Sequence, residues 1–275
     1  MAACVDAKRP RRPSSSHASP PEDPVPANRS AAATMGATLE TAMVLAAGLG
    51  VRMRPLTEKI PKPLVAVAGK PLIDRVLDRL AAAGIQRAVV NVHHLADQLV
   101  THLGARATPR IMISDEREQL LDSGGGVLKA LPLLGAGPFV IHNCDSIWTE
   151  STVSNLAKLA ECWDETTMDA LLLLAPAATS LGYHGRGDFS LDADSRLRRR
   201  GGAESVPFAF TGVSVAHPRL FDGAPEGPFS LNRPWDTAIA HGRAFGIAIE
   251  GHWMHVGDPA AVTAAEGWIS NQHER

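Results

Sequence analysis

Short apolar runs at residues 42–47, 88–92, 110–113, 138–143 and 170–174 alternate with stretches of helical periodicity at 72–83, 96–103, 126–134 and 152–163. A strand that is apolar along its whole length has both faces covered, whereas a half-solvated strand alternates. Such runs, separated by helices, specify an α/β fold with a mainly parallel, Rossmann-like sheet flanked by helices. The stripe Leu72, Ile73, Val76, Leu77 and Leu80 is the clearest helix, and Gly84 stands where a left-handed residue would end it. Beyond Pro176 the pattern changes. Shorter strands at 187–191 and 208–215 follow turns and predict a small antiparallel addition that closes one side of the site.

Residues 1–38 stand apart, rich in Pro, Ser, Ala and Arg and without periodic apolar positions. Such a segment cannot offset the entropy of ordering, so it reads as a disordered tail, with a targeting peptide or an upstream start codon ahead of Met35 as alternatives. The remainder, 39–275, reads as one domain whose apolar content supports a full core. A formal charge of −2 gives no basis for nucleic-acid binding, and the run Arg198-Arg199-Arg200 reads as a solvated loop. No apolar run reaches membrane-spanning length and no signal core follows the basic N-terminus. Cys4, Cys144 and Cys162 show no paired or zinc-binding spacing, which suits a reducing, cytoplasmic setting. Cys144 reads as a small buried residue, and His93-His94 as structural.

The segment LAAGLGVRMRPLT, residues 45–57, followed by PKPLV at 61–65, carries the chemistry. A loop leaving a strand's carboxyl end sits where open α/β sheets bind ligands, and its glycines let backbone N–H groups approach phosphate oxygens. Arg52 adds a planar charged fork and Lys62 a compact cation, together suited to a triphosphate and to charge on a leaving pyrophosphate. Two better-known loops are excluded. A dinucleotide fingerprint needs glycine where Met53 stands, and the P-loop pattern fails because Pro71 follows Lys70.

These segments resemble the signature of sugar-phosphate nucleotidyltransferases. The resemblance continues through Ser123-Gly124-Gly125-Gly126, Asn143-Cys144-Asp145, YHGRGDF at 183–189, FTGVSVAHPRLF at 210–221 and GHWMHVGD at 251–258, and covers essentially everything after the tail. Within the family the chain is most similar to bacterial N-acetylmuramate-1-phosphate uridylyltransferases of cell-wall sugar recycling, with mannose-1-phosphate guanylyltransferases as the next neighbours. The resemblance implies an enzyme whose partners are a nucleoside triphosphate, here UTP, and a sugar 1-phosphate, and whose ion is Mg²⁺. By position, Leu45, Ala46, Ala47, Gly48 and Gly50 would hold the nucleotide, and Asp122 and Gly124 would meet the base through the backbone. Arg52 and Lys62 would meet the phosphates, and Asp145 would hold the metal. Asn143, Thr211 and Gly212 would line the sugar pocket, which the antiparallel addition would close. Asp188 and Arg186 either pair with each other or meet substrate, and Asp236 is equally a cap, a surface residue or a ligand contact.

One position departs from the family pattern. Where a second carboxylate for the metal is usual, this chain has His255. Neutral imidazole is a weak Mg²⁺ ligand and a better one for Mn²⁺ or Co²⁺. Three readings stay open: His255 ligates a softer ion, Asp258 takes over, or Asp145 suffices with water. A fourth is a nucleotide-sugar-binding protein without catalysis.

Overall fold

Each apolar run of the first half is a strand in the computed structural model, which describes residues 37–150 and 152–273. The strands are β1 (Thr41–Leu45), β2 (Ala66–Val67), β3 (Lys70–Pro71), β4 (Arg87–Val92), β5 (Arg110–Asp115), β6 (Phe139–Asn143), β7 (Ser146–Trp148), β8 (Ala170–Pro176), β9 (Phe189–Leu191), β10 (Leu197–Arg199), β11 (Phe208–Ala216), β12 (Ala244–Ala248) and β13 (Trp253–His255). The helices are α1 (Leu72–Ala82), α2 (Ala96–Leu103), α3 (Asp122–Leu134), α4 (Asn155–Cys162), α5 (Asn232–Ala240) and α6 (Pro259–His273). Among the described residues no helix is long and apolar enough to cross a membrane.

The main sheet runs β5-β4-β1-β6-β11-β8-β12, with the β9–β10 hairpin joined to the start of β11. Pairs β5–β4, β4–β1, β1–β6 and β8–β12 are parallel, and β11 is antiparallel to both neighbours. From β1 the chain builds outward through β4 to β5, then returns to place β6 on the other side of β1. The order therefore reverses between β1 and β6, and the crevice at their carboxyl ends is where such sheets take ligands.

Alternate residues of each strand point to opposite faces, and both faces are dry. Ala42, Val44, Ala88, Val90, Leu171 and Leu173 join α1, α2 and α4 in one core. Met43, Val89, Leu172 and Leu174 join α3 and α5 in another. A third cluster of Met53, Val65, Val67, Leu72, Ile147, Met254, Val256 and Ala265 packs the hairpin β2–β3 and the pair β7–β13 under α6. That cluster carries the segments after β1 and β6, so it is the bed on which the site rests.

Three sequence expectations change in detail. Helix α3 starts at Asp122, so the triple glycine lies inside its first turns. Strand β11 is nine residues long where a shorter strand was expected, and its antiparallel pairing with β6 makes the addition continuous with the main sheet. Arg198-Arg199-Arg200 is no solvated loop, since its first two residues belong to β10. The expected tail lies outside the described residues except for Ala37 and Thr38, and the Ala37 N–H donates to the Ala160 carbonyl at 3.0 Å.

Candidate active site

Three loops meet in the crevice beyond β1 and β6. The first leaves β1 through Ala46, Ala47 and Gly48, then turns at Gly50, whose φ is +62°. A side chain there would press on Thr57 and Lys62 at 2.9 and 3.2 Å, so glycine serves both the left-handed turn and the close approach. The Thr57 hydroxyl closes the turn by donating to the Gly50 carbonyl at 2.7 Å. The second loop brings Lys62, and the third is the tight connection Cys144-Asp145 between β6 and β7. A cavity of about 270 Å³ lies among them, lined by Leu45, Ala46, Ala47, Gly48, Lys62, Asn91, Asp122, Ser123, Asn143 and Asp145, with three further residues.

Charge is concentrated at one end. Lys62 Nζ donates to Asp145 Oδ2 at 2.6 Å, with the two side chains only 12% and 15% exposed. Burial alone would raise the Asp145 carboxyl, but the Lys62 ammonium and then His255 hold it below the ordinary carboxylate range. His255 sits opposite Ser146 in the β13–β7 ladder, and the Asp145 carbonyl accepts the Val256 N–H at 2.9 Å. Burial pushes the His255 imidazole below its usual value. Asp145 and Asp258 oppose that, while Lys62 and Arg52 add to it, so the ring is neutral near pH 7. A Cβ on Gly257 would lie 2.6 Å from His255 Nε2 and 3.4 Å from the Arg52 guanidinium carbon, so these two side chains flank the same glycine. Arg52 is exposed and makes no hydrogen bond or ion pair to a described residue, which leaves its fork free for an anion. Arg52, Lys62, Asp145 and His255, 203 residues apart in sequence at the extremes (255 − 52), are thus neighbours.

One carboxylate beside one neutral imidazole is a donor set that suits a divalent cation completing its shell with phosphate oxygens and water. No three such ligands gather anywhere among the described residues, so the protein alone offers no closed metal cage. Asp258, whose charge acts on His255, uses Oδ1 to accept the Ala261 N–H at 2.9 Å, a cap on α6 with Pro259 in the first helical position.

A second cavity of about 250 Å³ adjoins the first and shares Ser123 and Asn143 with it. Its wall includes Asp188, Phe189, Arg199, Phe210, Asn232 and Trp235. The Phe210 and Trp235 rings meet edge to face at 4.8 Å, and Phe189 abuts Trp235 at 6.5 Å, which gives this cavity an aromatic wall. Asn143 keeps its place because Gly212, at φ +86°, brings bare backbone against it; a Cβ there would lie 3.0 Å from the Asn143 amide. Gly212 sits where the β11–β8 register shifts, a bulge beside a functional site.

Two expected contacts fall elsewhere. Thr211 does not face the sugar cavity: it is buried and its hydroxyl donates to the Leu173 carbonyl at 2.8 Å, because the bulge turns it toward β8. Gly124 does not offer its N–H to the nucleotide cavity, since that group donates to the Phe229 carbonyl at 2.8 Å. The glycines of α3 answer to packing: a Cβ on Gly124 would lie 2.4 Å from the Phe229 ring, and one on Gly125 2.3 Å from the Gly227 carbonyl. Asp188 and Arg186 form no pair; Asp188 Oδ2 accepts the Phe210 N–H at 2.9 Å. The two histidines after β4 are structural, His93 on the Glu116 carbonyl and His94 on the Thr57 carbonyl. Burial pushes the Cys144 thiol up to about 12, which suits no nucleophile.

Sequence reasoning missed a buried relay. The Ala46 N–H donates to Asn91 Oδ1, Asn91 Nδ2 to Glu116 Oε1, and the Leu121 N–H to Glu116 Oε2. It ties the β1 loop to the start of α3 across the nucleotide cavity. A polar Asn91 inside the apolar run of β4 was the available signal, since a buried amide must find partners.

The chain matches the MobA-like NTP transferase domain over residues 42–177. It is 51% identical over 233 residues to an N-acetylmuramate alpha-1-phosphate uridylyltransferase of Caulobacter vibrioides, covering 83% of this chain and 96% of that protein. It is 35% identical over 229 residues to the protein of the same name in Neisseria meningitidis serogroup B, covering 82% and 96%. A solved UDP-glucose pyrophosphorylase complexed with UDP-glucose superposes with a TM-score of 0.71 at 15% identity, covering 86% of this chain and 100% of the other, a likeness of fold.

Proposed function

The chain belongs to the sugar-phosphate nucleotidyltransferase family and is an enzyme that joins a nucleoside triphosphate to a sugar 1-phosphate, and from that premise we propose that the triphosphate is UTP and the acceptor N-acetylmuramate 1-phosphate. The enzyme would then work in the cytoplasm on cell-wall sugars returned for reuse, with 39–275 as its catalytic domain. The carrying observation is the cluster of Arg52, Lys62, Asp145 and His255 at the carboxyl ends of β1 and β6, read together with 51% identity to a relative of that name.

An oxygen of the sugar phosphate, already anionic near neutral pH, attacks the α-phosphorus of the triphosphate. The new P–O bond forms as the bond to the bridging oxygen of the β-phosphate breaks, and pyrophosphate leaves with that electron pair. No dedicated base is needed; the barrier is repulsion between anions and charge on the leaving group. The loop through Ala46, Ala47 and Gly48 holds the nucleotide, with Asp122 and Ser123 across the cavity. Lys62 lies against the reacting phosphates, and the free fork of Arg52 takes the outer phosphates and the departing charge. Asn143, shared by both cavities, orients the sugar phosphate. Mg²⁺ held by Asp145 would neutralise phosphate charge, and His255 beside it would extend the choice to Mn²⁺ or Co²⁺.

Pyrophosphate release from UTP, GTP, CTP and dTTP, each with N-acetylmuramate, N-acetylglucosamine, glucose and mannose 1-phosphates, tests the proposal. UTP with N-acetylmuramate 1-phosphate should give the highest kcat/KM. A higher value for GTP with mannose 1-phosphate would overturn it.

A further inference from the structure

The arginine run follows the two-residue period of a strand. Leu197, first in β10, is buried in the core, so Arg199 shares its inward face while Arg198 turns outward to Asp192. The Arg199 guanidinium lies over the Phe189 ring at 4.7 Å, against the aromatic wall of the second cavity. It is held on three sides: Nε donates to Asp236 Oδ1 at 2.7 Å, Nη1 to Asn232 Oδ1 at 2.9 Å, and Nη2 to the Asn232 carbonyl at 3.2 Å. Those bonds use three of the five guanidinium N–H groups and leave one on each terminal nitrogen. Among the described residues lining this cavity, Arg199 is the single cation.

We propose that Arg199 selects the acceptor by its charge, donating one of its unspent N–H groups to the carboxylate of an acidic sugar 1-phosphate. The inference rests on the acceptor assigned under the proposed function and adds the residue that recognises it. A muramate differs from the corresponding glucosamine by an ether-linked lactic acid, so its distinguishing feature is an anion on the sugar, away from the 1-phosphate. A guanidinium N–H matches a carboxylate in sign and makes a charge-assisted hydrogen bond with it, stronger than a neutral one. Packing on aromatic rings lowers the local screening, and the bonds to Asp236 and Asn232 fix the guanidinium before substrate arrives, so little side-chain entropy is lost on binding. Asp188, on the same wall, would repel a carboxylate and accept from sugar hydroxyls instead, which leaves one orientation for an acidic sugar.

The test compares kcat/KM with UTP for N-acetylmuramate 1-phosphate and N-acetylglucosamine 1-phosphate in the wild type, Arg199→Gln and Arg199→Lys, each checked for an unchanged thermal transition. Arg199→Gln should lower kcat/KM for the acidic sugar by about 10- to 100-fold, mainly through KM, the usual scale for losing a charged hydrogen-bonding partner. The neutral sugar should change by less than about threefold, and Arg199→Lys should fall between, because it keeps the charge without the planar group that Asp236 and Asn232 hold in place. An equal fall for both sugars, or an undiminished preference in Arg199→Gln, overturns the proposal. A wild type that turns over neither sugar with UTP overturns the uridylyltransferase reading instead. Calorimetric binding of the two sugar phosphates to the same proteins then decides the role of Arg199, and equal wild-type affinities refute it.

Discussion

Glu116→Gln should destabilise the protein far more than its conservative appearance suggests. The side chain is 1% exposed and each of its oxygens accepts one hydrogen bond, from Asn91 Nδ2 at 2.7 Å and from the Leu121 N–H at 3.0 Å. Asn91 cannot adapt, because its own oxygen is pinned by the Ala46 N–H at 2.7 Å. An amide at 116 keeps the volume but replaces one acceptor by a donor, so whichever way it turns it faces Asn91 Nδ2 or the Leu121 N–H. Flipping Asn91 only passes the conflict to Ala46. A Cβ on Gly126 would lie 2.8 Å from Glu116 Oε1 and 3.0 Å from Asn91 Nδ2, so the α3 backbone packs closely against the pair. A hydrogen bond to a charged acceptor contributes about 1.5–3 kcal/mol, and a stranded buried donor costs about 1–3 kcal/mol. These overlap, giving a loss of about 2–4 kcal/mol. For a domain of this size that lowers Tm by about 4–16 °C. Thermal unfolding by circular dichroism measures it, and KM for UTP should rise because both walls of the nucleotide cavity hang on the relay. A stability change within about 0.5 kcal/mol, the range of ordinary surface substitutions, would refute the reasoning.

Arg52→Ala should lower turnover by about 10²–10³ with the fold intact, since a charged donor to the transferring phosphates is lost; an unchanged kcat removes it from the site. Asp145→Asn should abolish activity, while His255→Asp should retain or raise the rate with Mg²⁺ and lose any advantage with Mn²⁺ or Co²⁺; identical ion preference in wild type and His255→Asp would exclude the imidazole as a ligand. Burial pushes His142 down to about 3, so it stays neutral in the fold but gains a proton in the unfolded chain below pH 6.5. Its contribution is therefore complete above pH 6.5 and lost as the pH falls toward 3. Wild-type stability should drop more steeply over that window than that of His142→Gln, by up to about 1.4 kcal/mol per pH unit, as urea unfolding at stepped pH would measure.

The layers of the fold and the class of chemistry were readable along the chain. Apolar runs such as 42–47 and 170–174 could only be strands covered on both faces, and the α1 stripe could only be an amphipathic helix, because period and burial are local properties of the chain. The loop after β1 was legible for the same reason, since Gly50, Arg52 and Lys62 stand within a short span. Contacts between residues distant in sequence became visible only once the elements had packed. Gly124 looked like a backbone donor to a base until its N–H proved to belong to Phe229, and Thr211 looked like a sugar contact until the β11 bulge turned it to Leu173. Arg199 looked solvated because nothing in a run of three arginines says which one faces inward; Leu197 settles that by anchoring the strand's face in the core. Glu116 left no mark in the sequence, because a buried hydrogen bond is satisfied by whichever residues the fold brings within about 3 Å, and that choice is made only when β4, β5 and α3 pack together.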